Sequence, residues 1–252
     1  MFDVTLIDDE LNAKSDNRIC IYERDAFDSL TPENMSLIKS SIVMVSNADG
    51  KKGSGIIVSE DLVLTSANMV LKGKNTYKIK TIDGRELSAR AFRVNIQKNT
   101  ALLMFDQETP YNRLAIGLDL PRIGRDDLTS LGIIALDSAP FTLEESFIKA
   151  TGKILGYRYS EDIGAELIVD TFIQGTTDGG AVIDQQGRYR GMSISGKRLG
   201  DGPDIFIPFE TVLKSVGLEI CGREFEGVTG ISKLIEKPIA ESPDKMKKKD
   251  RK

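Results

Sequence analysis

The sequence predicts an all-β fold. Twenty-three glycines and eight prolines punctuate the 252-residue chain, apolar runs are short, and turn signals recur about every ten residues, a spacing that suits many short strands. A hydrophobic content of 40% is ordinary for a packed core of this length.

Taken in order, Val4–Ile7 and Arg18–Tyr22 are short β-prone pieces either side of a polar turn. The stretch LTPENMSLIKSS then reads as a short capped helix, with Thr31 at the N-cap, Pro32 at the first helical position and Glu33 in the first turn. Strands follow from Ser41: SIVMVSN up to a turn at Asp49-Gly50, then GIIVS, LVLTS, YKIKTIDG, ELSARAFRVN and ALLMF. The Asp83-Gly84 pair is a strong hairpin signal because both residues tolerate positive φ. A second series runs from about Asp127 to Ile207, and Pro208–Val216 reads as a closing helix. No internal repeat is visible in the sequence.

No window approaches the roughly 20 apolar residues of a membrane span. The N-terminus, MFDVTLIDDELNAK, is acidic where a signal peptide is basic and then apolar. The expectation is a soluble, intracellular protein. Cys20 and Cys221 are read as two buried thiols, with a bridge as the lesser alternative, which suits a reducing compartment. With no histidine and two distant cysteines, no metal site is expected and no cofactor is implied.

The net charge of −4 is unevenly placed. The last eight residues, KMKKKDRK, hold six basic and one acidic side chain, a local +5, which leaves −9 on the rest. An acidic body does not favour nucleic acid, and no membrane partner is implied. Residues 223–252 are read as a flexible basic tail, and Lys247, Lys248, Lys249, Arg251 and Lys252 form a candidate nuclear-import cluster. This weakly favours a nuclear over a cytoplasmic location.

Three segments carry chemistry. Gly53–Val70, GSGIIVSEDLVLTSANMV, resembles the segment of trypsin-like serine proteases of the HtrA/Deg branch that ends in TNAHVV and supplies the general base. Asn99–Phe105, NTALLMF, resembles the strand end that supplies their aspartate. Leu167–Gly180, LIVDTFIQGTTDGG, lies without gaps on the segment that carries their nucleophile and oxyanion hole. Supporting likenesses follow in order: Leu114–Gly132 to the inter-barrel linker, Thr151–Tyr157 to a strand, Ala181–Met192 to the hairpin after the nucleophile, and Asp204–Val216 to the closing strand and helix.

The resemblance, over about residues 37–217, implies two antiparallel six-stranded β-barrels with a short C-terminal helix. The boundaries are 1–35 for an N-terminal extension, 36–118 for the first barrel, 119–222 for the second barrel and closing helix, and 223–252 for the tail. It also implies that the triad positions are Asn68, Asn99 and Asp178, and that Thr176 holds the place of the oxyanion glycine. An amide cannot take a proton from a hydroxyl near neutral pH, and a carboxylate in the nucleophile's place repels a developing oxyanion. The three triad side chains are expected to meet at the barrel junction.

The sequence therefore reads as a pseudoprotease acting as a protein-interaction module or scaffold. Met192, Ser193, Ile194, Ser195 and Gly196 match the strand on which relatives pair an extended peptide, and protein partners are implied. Two other readings stay open. One is an active hydrolase with a different nucleophile, Ser66, Ser193 or Ser195, with Lys197 as base; Cys221 lacks a histidine to activate it. The other is a nucleic-acid-associated factor acting through the tail.

Overall fold

Local chemistry starts the N-terminal part of the fold. The computed structural model describes residues 5–6, 18–70, 76–133, 146–171, 177–198 and 203–222. Strands β1 (Thr5–Leu6) and β2 (Ile19–Ile21) precede helix α1 (Pro32–Lys39). Thr31 caps α1 as its sequence suggests, its Oγ1 accepting the Asn34 N–H at 3.3 Å.

Six strands then close the first barrel: β3 (Ile42–Ser46), β4 (Lys52–Ile57), β5 (Leu62–Thr65), β6 (Thr76–Thr81), β7 (Glu86–Asn95) and β8 (Thr100–Phe105). Their order is β7-β6-β3-β4-β5-β8 with β7 pairing β8, and β1 adds in parallel outside β7. The β6–β7 hairpin turns at Asp83-Gly84, where Gly84 has a φ of +86°. In the second barrel, β10 (Asp127–Ile133), β11 (Phe147–Ser160), β12 (Gly164–Val169), β13 (Ala181–Asp184), β14 (Arg188–Arg198) and β15 (Asp204–Pro208) close in the order β13-β10-β11-β12-β15-β14. Strand β9 (Ala115–Ile116), although it precedes residue 119, adds in parallel to β14. Helix α2 (Phe209–Ser215) and β16 (Leu218–Ile220) end the described part. The expected double barrel and closing helix are therefore present.

Alternation divides the core. Val43, Val45, Tyr77 and Ile79 fill the first barrel, and Leu128, Ile154, Leu167 and Phe206 fill the second. The opposite faces of the same strands stay apolar because they are covered: Ile42, Ile56 and Leu64 meet Leu131, Ile183 and Tyr189 between the barrels, with α1 and α2 adding Ile38 and Phe209. No helix among the described residues is long and apolar enough to cross a membrane.

The cysteines differ from the expected thiol pair. Cys20 is exposed, and it forms a disulfide with Cys221, 201 residues later, with a Cα–Cα distance of 5.2 Å. The two approach because β2 and β16 lie parallel and side by side. Disulfides persist in oxidising compartments, so the cysteines do not argue for a reducing one. Replacing both by serine is expected to lower stability by about 2–5 kcal/mol, because so large a loop restricts the unfolded chain strongly. Urea titration of the double variant against the oxidised protein checks this.

A charged latch holds the linker to the second barrel. The Arg190 side chain is 3% exposed, and its Nε and Nη1 reach Asp184 Oδ2 and Asp119 Oδ1, each at 2.7 Å. Burial opposes ionisation of Asp119, but Arg190 outweighs it and holds that carboxyl below the usual carboxylate range. A depressed folded value adds stability that is present above the unfolded value, about pH 4, and is lost as pH falls through the folded one. Asp119→Asn is expected to remove a small part of the acid-side decline in the urea midpoint, since the Asp119 side chain is 68% exposed. Its effect at neutral pH should exceed its effect near pH 2.

Candidate functional site

The end of β5 starts the site. Ser66 caps the short 3-10 turn Ala67–Met69, its Oγ accepting the Asn68 N–H at 3.1 Å. The same hydroxyl donates to Asn99 Oδ1 at 2.8 Å, and the Asn68 N–H also reaches that oxygen at 3.1 Å. Asn99 sits in the tight β7–β8 turn with a φ of +50°, and its carbonyl accepts the Ala67 N–H at 3.2 Å. Asparagine tolerates this left-handed backbone better than most side chains.

The second barrel supplies Asp178 from the loop before β13. Its residue is 1% exposed, and its carbonyl accepts the Ser54 N–H at 2.7 Å across the barrel junction. Asn68 Nδ2 donates to Asp178 Oδ2 at 3.4 Å, closing the set of three predicted positions. The exposed Lys51 donates from Nζ to the Asn68 carbonyl at 2.9 Å. Asn68, Asn99 and Asp178 are thus brought together, with Ser66 as the added member.

The Asp178-Gly179-Gly180 turn is held by Ser193. The Gly179 N–H donates to the Ser193 carbonyl at 3.0 Å and the Gly180 N–H to Ser193 Oγ at 2.9 Å, while that hydroxyl donates to the Thr177 carbonyl. Both described serines of the candidate hydrolase, Ser66 and Ser193, therefore direct their protons at fixed oxygen acceptors. Among the described residues no cluster of three or more potential metal ligands occurs.

The peptide-strand candidates divide by side chain. Met192 is fully buried in the core between the barrels and Ser193 is 5% exposed, so a partner there would meet backbone. Ile194, Ser195 and Gly196 continue β14, although their side chains lie outside the described residues, as does that of Lys197. Strand β14 pairs β13 up to Met192 and returns to β15 at Arg198, and among the described residues no strand pairs the other edge of 194–197. Thr176 and the basic cluster from Lys247 to Lys252 also lie outside the described residues.

A family profile described as the trypsin-like peptidase domain matches residues 53–192, which contain the three assembled positions. The chain belongs to this family. Two solved structures share its fold. A serine endoprotease from Yersinia pestis superposes with a TM-score of 0.59 at 20% identity, over 73% of this chain and 65% of that one. The HtrA-type protease AlgW, solved with a tripeptide, gives 0.59 at 21% identity, over 71% of this chain and 60% of that one. The chain thus spans less than two thirds of either structure's length. No curated protein sequence matches it.

The family setting also marks what sequence reading missed. Ser66, named above only as a candidate nucleophile, stands two residues before Asn68, the spacing of a serine cap on a short turn, and that local signal points to its observed role of accepting the Asn68 main-chain N–H and donating to Asn99 Oδ1. Ser54 had no such signal. Its Oγ accepts the Ile133 N–H at 2.8 Å across the junction, an interaction between residues 79 positions apart.

Proposed function

We propose that this chain is a catalytically inactive member of the trypsin-like family that serves as a protein-interaction module or scaffold. One observation carries the reading: where the family needs an imidazole facing a hydroxyl, an amide faces a carboxylate, Asn68 Nδ2 to Asp178 Oδ2, in a chain with no histidine. The amide nitrogen donates and has no basic lone pair to accept a proton. A fixed carboxylate beside it supplies negative charge where an oxyanion has to develop.

Binding does not need the lost groups. An extended peptide can add to the 194–197 edge of β14 through main-chain hydrogen bonds alone, and a tripeptide accompanies AlgW, a structure of the same fold. The role as partner platform rests on this edge and on the amide that stands in the place of the family's base.

The fold is also that of endoproteases, so a peptidase assay is the decisive experiment. Incubation with a mixed peptide library is expected to give no cleavage above buffer, and a fluorophosphonate probe no labelling. Cleavage that follows the protein through purification would overturn the inactive reading. Extended peptides selected by display are expected to slow amide exchange along 194–197, and selected binders that leave those amides unchanged would remove the groove from the proposal.

A further inference from the structure

We infer that the Cys20–Cys221 bridge is a thiol–disulfide switch, whose reduction by a dithiol releases the N-terminal strap, residues 18–30, from both barrels. The switch is independent of the groove. The strap is an added layer: each barrel closes its own ring of six strands without it. It meets the rest of the chain at three separate seams.

At the first seam β2 pairs β16 in parallel, the Ile19 N–H donating to the Gly217 carbonyl at 2.9 Å and the Cys221 N–H to the Ile21 carbonyl at 2.8 Å. At the second, before β9, the Arg24 N–H donates to the Leu114 carbonyl at 2.9 Å. At the third, in the β13–β14 turn, the Phe27 N–H donates to the Gln186 carbonyl at 3.0 Å. There Phe27 and Leu30 close over Gly187, where a Cβ would lie 2.9 Å from the Phe27 ring and 3.3 Å from Leu30.

Side-chain burial adds little to these seams. Of residues 18–30 only Ile21 is buried, while Tyr22, Asp25, Ala26 and Asp28 are exposed. The Arg18–Glu219 pair beside the bridge is 3.5 Å long with side chains 42% and 36% exposed, so it contributes little. A segment with few buried apolar contacts and few main-chain bonds opens at a lower free energy than closed barrel ladders. The disulfide is therefore the decisive hold on the strap.

Thiol–disulfide exchange needs an accessible sulfur, and Cys20 is exposed while Cys221 is half-buried. A thiolate of the dithiol attacks Cys20 Sγ, the S–S bond breaks, and Cys221 Sγ leaves with the electron pair and takes up a proton. The reductant's second thiol then displaces Cys20 Sγ from the mixed disulfide. Two electrons and two protons end on Cys20 and Cys221, and the reductant departs as its own disulfide. Without the bridge, the seams at Gly217, Leu114 and Gln186 retain only their own contacts.

The test measures backbone order parameters of the full chain by NMR, oxidised and then reduced with dithiothreitol until both thiols titrate. The amides of Ile19, Arg24, Phe27 and Cys221 are expected to fall from about 0.85 to below about 0.6 on reduction, while those of Ser54 and Ile133 at the barrel junction stay near about 0.85. Cys20→Ser with Cys221→Ser is expected to show the mobile strap with or without dithiothreitol, and reoxidation of the reduced protein to restore the ordered one. Strap amides that stay ordered after full reduction overturn the inference. Loss of order at Ser54 and Ile133 as well would make the bridge a staple of the whole fold, which also overturns it. Two free thiols in protein purified without reductant do the same.

Discussion

Gly179→Ala is expected to destabilise the protein by about 2–5 kcal/mol, a large share of the roughly 5–15 kcal/mol that holds a domain folded. Gly179 has a φ of +83°, and a Cβ there would lie 2.3 Å from the Ser54 carbonyl oxygen, 2.7 Å from Thr65 Oγ1 and 3.0 Å from the Ser66 nitrogen. The first is a backbone atom of β4 and the last the backbone nitrogen just past the end of β5, and these two strands pair within the first barrel, so neither atom can step aside singly. Positive φ alone costs an alanine about 1–2 kcal/mol, and forced movement of a packed backbone adds about 1–3 kcal/mol more. Gly84→Ala separates the two effects, because Gly84 has nearly the same φ, +86°, with nothing within 4 Å of its Cβ position. Urea midpoints of the two variants should differ by the packing contribution. Equal midpoints would mean that the turn carrying Asp178 is not wedged against the first barrel.

Local chemistry explains why much of the fold was legible. Thr31, Pro32 and Glu33 mark the start of α1, Asp83-Gly84 marks a hairpin, and alternating apolar residues mark the strands; each signal spans only a few residues. The three site positions were legible through motifs that place them on strand ends and tight turns. What escaped depends on contacts between residues far apart in the chain. Cys20 meets Cys221 because β2 and β16 pair, and nothing near either cysteine encodes that pairing. Nothing in the local sequence of Arg190 encodes its buried ion pair, because the linker brings Asp119 over it from 71 positions away. Met192, read from sequence as part of a peptide-facing strand, has its side chain in the core because that face of β14 is covered between the barrels.

Repair of the triad alone is expected to leave proteolysis weak. Asn99→Asp preserves an acceptor for the Ser66 hydroxyl and the Asn68 N–H, and aspartate also tolerates a φ of +50°. Asn68→His would set an imidazole between that carboxylate and residue 178, since the present amide already spans to Asp178 Oδ2 at 3.4 Å. Asp178→Ser would then supply the hydroxyl and remove the opposing charge. The oxyanion hole is the expected remaining obstacle, because the sequence resemblance sets Thr176 in the place of a glycine whose backbone turns an N–H toward the reacting carbonyl. Loss of one such donor costs roughly 3–4 kcal/mol, a factor of 10²–10³ in rate. The triple variant should therefore label slowly with a fluorophosphonate and cleave a mixed peptide library poorly, and adding Thr176→Gly should raise kcat/KM by about that factor, with KM little changed. A triple variant as active as the quadruple one would mean that Thr176 already presents its N–H to the oxyanion. A quadruple variant with no labelling at all would place the defect in the barrel junction itself, where Ser54 and Gly179 fix the distance between the two halves of the site.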